Sequence, residues 1–207
     1  MIVGGQVSWK RVQVMDVPEM LQQFATTTGT FPREAAAQAI AQREAITPEL
    51  LRVLVEAQHN IADLPESDAM AHIYAMYLLA QFRAPRAYPL MVEFLSVPGD
   101  IALDTTGDVA TEDLGRILAS VSCGAIRLMT ALVENEHANE YVRVAALRSL
   151  VTLVACGEQS RDDIVAYVQH LFQGRLARDG SFVWTGLVSA SNDLYPRRTL
   201  RRHQARL

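Results

Sequence analysis

Helix-start signals recur along nearly the whole chain, and strand signals are almost missing. Prolines with a nearby acid stand at Pro18-Glu19, Pro32 with Glu34, and Pro48-Glu49. Proline's fixed φ and missing N–H suit the first turn of a helix. Thr47 is placed to cap a helix over 47–62, Ser67-Asp68 one over 67–82, and Thr111-Glu112-Asp113 one over 111–121. Pro85 opens a run to about residue 97. Ser160-Arg161-Asp162-Asp163 reads as a capping box with aspartate in place of glutamate. Further helical runs cover 17–28, 31–44, 123–135, 139–155, 160–178 and 182–194. Sustained period-two alternation is absent, and only the first fifteen residues hold short β-branched stretches. About ten helices joined by short turns predict an all-α chain of stacked antiparallel helices.

The stretch ALVENEHANEYVRVAALRSL at 131–150 separates a closed bundle from a repeat array. One helix ends in apolar residues and an acid, a short polar turn follows, and the next helix opens Val-Arg-x-Ala-Ala-Leu. This resembles the turn and second helix of a HEAT-type repeat, in which alanines let paired helices approach closely. A weaker echo is IYAMYLLA at 73–80. The expected fold is therefore a right-handed α-α superhelix, a HEAT-like α-solenoid of about five helical hairpins over residues 16–196. Residues 1–15 read as an N-terminal extension and residues 197–207 as a basic tail.

At 100° per residue, Val144, Leu147, Leu150, Val151 and Val154 share one face of the 139–155 helix, with Tyr141, Arg148, Ser149 and Thr152 opposite. Arg143 falls on the apolar face, where an unpaired guanidinium is costly. It is expected to bond carbonyls or a carboxylate of the preceding turn, with Glu136 and Glu140 nearest, as the structural arginine of a repeat. The 67–82 helix is apolar around nearly its whole circumference, so His72, Tyr74 and Tyr77 read as satisfied core polars.

Charge limits the function classes. The whole chain carries −4, and the last eleven residues hold five arginines and no acid, which leaves −9 on the remainder. A body that acidic repels phosphate backbones, so nucleic acid is an unfavoured partner unless the arginine tail alone supplies the contact. Cys123 and Cys156 sit in no CxxC arrangement and suit a reducing cytoplasm. No window reaches the ~18 apolar residues of a membrane span.

The sequence carries no GxSxG, HExxH, Walker A or dinucleotide fingerprint. Glu56-Ala-Gln-His59 and Glu134-Asn-Glu-His137 share the Glu-x-x-His spacing of bundle di-iron sites. Glu56 and His59, however, project away from their helix's apolar face, and His137 lies past the end of its helix. No metal or cofactor is expected. The longest segment without a helix signal, 96–110, is acidic and runs into Thr111-Glu112-Asp113. Asp104, Asp108, Thr111, Glu112, Asp113 and Arg116 form the candidate interaction or loop site. Gly107 is read there as a turn, and Asp108 or Thr111 as a helix cap.

TPELL at 47–51, HIYAMYLLAQF at 72–82, RAYP at 86–89, GDVATEDLGRILA at 107–119, YVRVAA at 141–146 and LYP at 194–196 resemble an uncharacterised bacterial family, number 1186 of the domains of unknown function. The resemblance covers residues 17–196 and implies a helical-repeat fold with no assigned activity. Some relatives carry a C-terminal cysteine-rich zinc motif; this chain has none, so zinc is not implied. After Leu194-Tyr195-Pro196 the family continues as a helix of mixed charge, whereas this chain continues RRTLRRHQARL. A missing last unit would expose an apolar end, through which the chain is expected to self-associate.

The leading functional expectation is a non-enzymatic module that binds a protein or peptide on a helical-repeat surface. The alternatives are an enzyme or metal-dependent protein using the acidic 104–113 segment with a histidine such as His72, and nucleic-acid binding through the arginine tail.

Overall fold

A computed structural model describes residues 14–25, 29–178 and 180–194. Among these residues there are twelve α-helices and no strand: α1 (Val17–Ala25), α2 (Arg33–Ala41), α3 (Arg43–His59), α4 (Ala71–Gln81), α5 (Ala87–Leu95), α6 (Ile101–Thr106), α7 (Asp108–Glu112), α8 (Leu114–Ser122), α9 (Arg127–Glu134), α10 (Glu140–Ala155), α11 (Arg161–His170) and α12 (Val183–Leu194). None is long and apolar enough to cross a membrane. The basic tail at 197–207, and the N-terminal extension apart from Val14 and Met15, lie outside the described residues.

Several helices begin where side chains offer the backbone a partner. Asn139 accepts from the Tyr141 amide at the start of α10, and Ser160 accepts from the Asp163 amide at the start of α11, the second as its capping-box signal predicts. Thr47 does not cap α3. That helix starts one turn earlier, at Arg43, and the Thr47 hydroxyl donates back to the Arg43 carbonyl. Ile46 is fully buried there, so packing favours the extra turn despite Pro48. Ser67 and Asp68 likewise precede a helix that starts only at Ala71, with no side-chain cap.

Residues 96–110, expected to lack helix, contain α6 and most of α7, joined at Gly107 with φ +52°. The Thr105 hydroxyl donates to the Ile101 carbonyl and the Thr106 hydroxyl to the Ala102 carbonyl. Those bonds satisfy both threonines inside the helix and allow their burial, where composition alone suggests a loop. The expected turn at Gly107 is present. Neither expected cap is: the Thr111 hydroxyl donates to the Asp108 carbonyl, and Gly107 itself precedes α7.

Contacts between helices recur at nearly constant chain separation. The Tyr77 hydroxyl donates to Asp113, 36 residues on, and the Ser120 hydroxyl donates to the Ala80 carbonyl, 40 residues back. Arg148 reaches the Thr111 carbonyl across 37 residues, Gln159 the Gly124 carbonyl across 35, and Ser181 the Glu140 carboxylate across 41. Separations that stay similar from one end of a helix pair to the other require parallel helices. α4, α8, α10 and α12 therefore run in one direction. In a second row, the Met129 amide donates to the Tyr88 hydroxyl over 41 residues, Asn135 to the Ser96 carbonyl over 39, and the Tyr167 hydroxyl to the Thr130 carbonyl over 37. α5 and α9 are thus parallel to each other, and α11 meets α9 at a similar separation.

α10 packs against α8, α9 and α12, and it is buried almost all round. Ser149, expected on the outer face, is fully buried and donates to the Ala146 carbonyl of its own helix. Gly115 lets α8 approach α10: an added Cβ would stand 3.0 Å from the Arg148 Cβ and 3.1 Å from the Ala145 carbonyl oxygen. α12 directs Thr185, Val188, Ser189, Asn192 and Asp193 outward, a largely polar face.

Candidate functional site

Close approach of α8 and α10 leaves a shallow groove of about 250 Å³ beside α7, extending to Asp193 on α12. Small residues, Ala110, Gly115 and Ala145, lie among its lining, together with Val151. Thr111, Glu112, Arg116, Arg148, Thr152 and Asp193 supply the polar groups. The Arg148 guanidinium donates to the Thr111 carbonyl at 2.6 Å, which ties α10 to α7 across the groove.

Asp113 anchors the neighbouring edge. Its carboxylate accepts from the Tyr77 hydroxyl at 2.6 Å and from the Arg116 guanidinium. The Tyr77 bond first, and then Arg116, hold the Asp113 carboxyl below the usual carboxylate range. Partial burial, reinforced by the Asp113 charge, pushes the Tyr77 phenol up to about 12. Tyr77 is therefore not the core polar expected from its helix but a surface link between α4 and α8.

The six residues expected to act together are divided by the fold. Thr111, Glu112 and Arg116 line the groove, and Asp113 stands beside it as the partner of Arg116. Asp104 lies instead on a larger cleft of about 600 Å³, with Asp100, Glu136, His137 and Glu140. Asp108 is exposed and lines neither. Among the described residues no group of three or more His, Cys, Asp or Glu side chains is placed to hold a metal ion.

Much of the cleft's acidity serves the scaffold. Glu140 accepts from the Ser181 hydroxyl and from the Phe182 amide beside the start of α12, where an anion suits the helix dipole. Glu136 accepts from the Ala177 amide, and Asp100 from the Asn139 side chain. Arg143, also on the cleft, is 6% exposed and donates from Nε to the Val133 carbonyl at 3.0 Å. Arg143 thus bonds a carbonyl, but one at the end of α9 rather than in the turn between α9 and α10, and Glu136 and Glu140 also hold the segment that follows α11.

His72 belongs to the core. It is 3% exposed, and its ring nitrogen lies 2.9 Å from the Thr105 carbonyl oxygen. This excludes the solvent-accessible role considered for it. Burial holds its pKa below the ordinary 6.5, against the raising effect of the Thr105 bond. The unfolded chain therefore takes up a proton that the folded chain resists. The stability contributed by neutral His72 is complete above 6.5 and is withdrawn as pH falls through 6.5 toward the lower folded value. Urea titrations from about pH 8 to about pH 5 should show the midpoint falling on the acid side, and His72→Gln should flatten that slope. An identical slope in the variant would assign the acid sensitivity elsewhere.

Arg148, Val151, Thr152 and Asp193 were not legible as site residues. The small residues Gly115 and Ala145 at the crossing were the one available signal for their convergence, because they permit the close approach that forms the groove.

No solved structure matches the chain. An uncharacterised protein of Chlamydia trachomatis serovar D is 43% identical over 184 residues, covering 88% of this chain and 73% of its own length. One of Chlamydia muridarum is 42% identical over 184 residues, covering 88% of this chain and 74% of its own. With a family model matching residues 15–204, the chain belongs to the family described as Protein of unknown function (DUF1186).

Proposed function

We propose that the protein is a HEAT-like α-solenoid that binds an extended peptide segment of a partner protein in the groove between α7, α8, α10 and α12. The near-constant chain separation of contacts in two rows of parallel helices supports the solenoid reading. The carrying observation for binding is the groove's make-up: small and apolar lining residues beside charges of both signs. At about 250 Å³ it lies below the ~300–1,000 Å³ of enclosed small-molecule sites and suits one or two side chains of a peptide. Thr111, Arg148 and Thr152 offer polar partners to a peptide backbone, while Val151 and the small residues receive an apolar side chain.

A photoreactive residue at Thr152 or at Glu112 should give discrete covalent adducts in cell extract, and the same residue at Glu56, on the exposed side of α3, should not. Val151→Glu should remove those adducts while leaving the helical content unchanged. Equal labelling from Glu56, or adducts that persist in Val151→Glu, would overturn the groove as the docking site.

A further inference from the structure

We infer that the groove and the acidic cleft are two ends of one trough along α10, and that its occupant is an extended segment of a partner protein with lysine or arginine near each end. The inference rests on the groove reading above and names the chemistry of what binds there.

Tyr141, Ala145, Arg148 and Thr152 follow one another at helical intervals of four, three and four residues, so they form one stripe on α10. Tyr141 lines the cleft, and the other three line the groove. On one side of the stripe Val144 packs against Gly186 of α12, and on the other Ser149 approaches Gly115 of α8. The flanking elements follow the same course. Asp104 of α6 and Ser181, just before α12, stand at the cleft. Glu112 of α7 and Asp193, near the end of α12, stand at the groove. From Tyr141 to Thr152 the stripe measures about 17 Å, a length that about five residues of extended chain cover.

Charge selects the occupant. Asp100, Asp104, Glu136 and Glu140 line the cleft, and Glu112 and Asp193 the groove. Asn139 holds Asp100, the Ala177 amide holds Glu136, and Ser181 with the Phe182 amide holds Glu140; these neutral donors leave the negative charges in place. The arginines on the lining are tied to the scaffold. Arg116 pairs with Asp113, Arg148 donates to the Thr111 carbonyl, and Arg143 is buried against the Val133 carbonyl. Exposed Arg178, one residue past Ala177, adds a cation near the cleft without reversing the balance. Tyr141 is 36% exposed beside these carboxylates, its ring 4.9 Å from that of Phe182. An aromatic ring among carboxylates attracts a guanidinium or ammonium through its π-face as well as by charge. Among the described residues the acids are not gathered to hold a metal ion; spread along the walls, they suit cations carried on side chains.

The test uses the full-length chain with a photoreactive residue at Thr152 and a library of random seven-residue peptides. Labelled peptides should be enriched several-fold in lysine and arginine over the library, with the same residue at Glu56 as the baseline. Asp104→Asn combined with Tyr141→Leu should remove most of that enrichment while labelling at Thr152 persists. Labelling at Thr152 with no charge preference, or with a preference for acidic peptides, would overturn this inference and leave the groove reading standing. Labelling no stronger than from Glu56 would overturn both. Cross-links from Thr152 to the chain's own arginine-rich residues 197–207, or to a second copy, in place of the peptides would assign the trough to a different occupant and overturn the inference.

Discussion

Gly186→Ala is expected to lower unfolding free energy by about 1–3 kcal/mol, the usual cost of forcing an extra carbon into a packed core. An added Cβ would stand 2.6 Å from the Val144 Cγ2, 2.9 Å from its Cγ1 and 3.2 Å from its Cβ. Valine's two γ-methyls hold one strongly preferred rotamer in a helix, so Val144 has little freedom to swing aside. It is also 2% exposed, with no open side to retreat into. The strain must then appear as separation of α10 and α12, the contact that joins the last helix to the centre of the molecule.

The same geometry predicts a specific rescue. Val144→Ala alone removes two buried methyl groups, at roughly 0.8 kcal/mol each before any cavity cost. Combined with Gly186→Ala, the new methyl occupies space that the lost ones vacated. The double variant should be more stable than the sum of the single losses allows, by about 0.5–3 kcal/mol. Thermal unfolding reads this as about 2–4 °C per kcal/mol for a chain of this size. Additive losses would mean that the clash is relieved elsewhere and that α12 is not held against Val144 as described.

What the sequence disclosed followed the range of each interaction. The cap at Ser160 bonds an amide three residues away, so local reading finds it. Thr47 failed because the burial of Ile46, a tertiary event, extends α3 upstream of the local signal. Residues 96–110 failed because threonine, glycine and aspartate favour turns on average, whereas Thr105 and Thr106 satisfy themselves on their own helix and become buriable. Ser149 misled the reading of α10 for the same reason. In the groove, Thr111, Glu112 and Arg116 were found through a local concentration of polar residues. Arg148 and Asp193 enter from α10 and α12, and nothing near either of them in the sequence indicates their meeting. The residues that define the rows of parallel helices are likewise 33–41 apart, a spacing visible only once the helices are stacked.

Arg143 carries the other large expected effect. The last four carbonyls of a helix have no partner within it, and the Val133 carbonyl, near the end of α9, receives the Arg143 Nε–H from the first turn of α10. The guanidinium also lies at the negative end of the α9 dipole, which offsets part of the cost of burying its charge. Arg143→Ala removes the donor, leaves a cavity and strands that carbonyl, for an expected loss of about 3 kcal/mol. Arg143→Met retains most of the stem's volume and isolates the polar contribution, with a loss of about 1–3 kcal/mol. A buried charge can instead be a net burden, in which case methionine would match or exceed the wild type. Amide exchange separates these outcomes from general destabilisation. If Arg143 closes α9, the amides of Leu132 to Asn135 should exchange faster in Arg143→Met under conditions where those within α5 do not. Unchanged exchange at that end of α9, together with undiminished stability of the methionine variant, would show that α9 is held by packing alone.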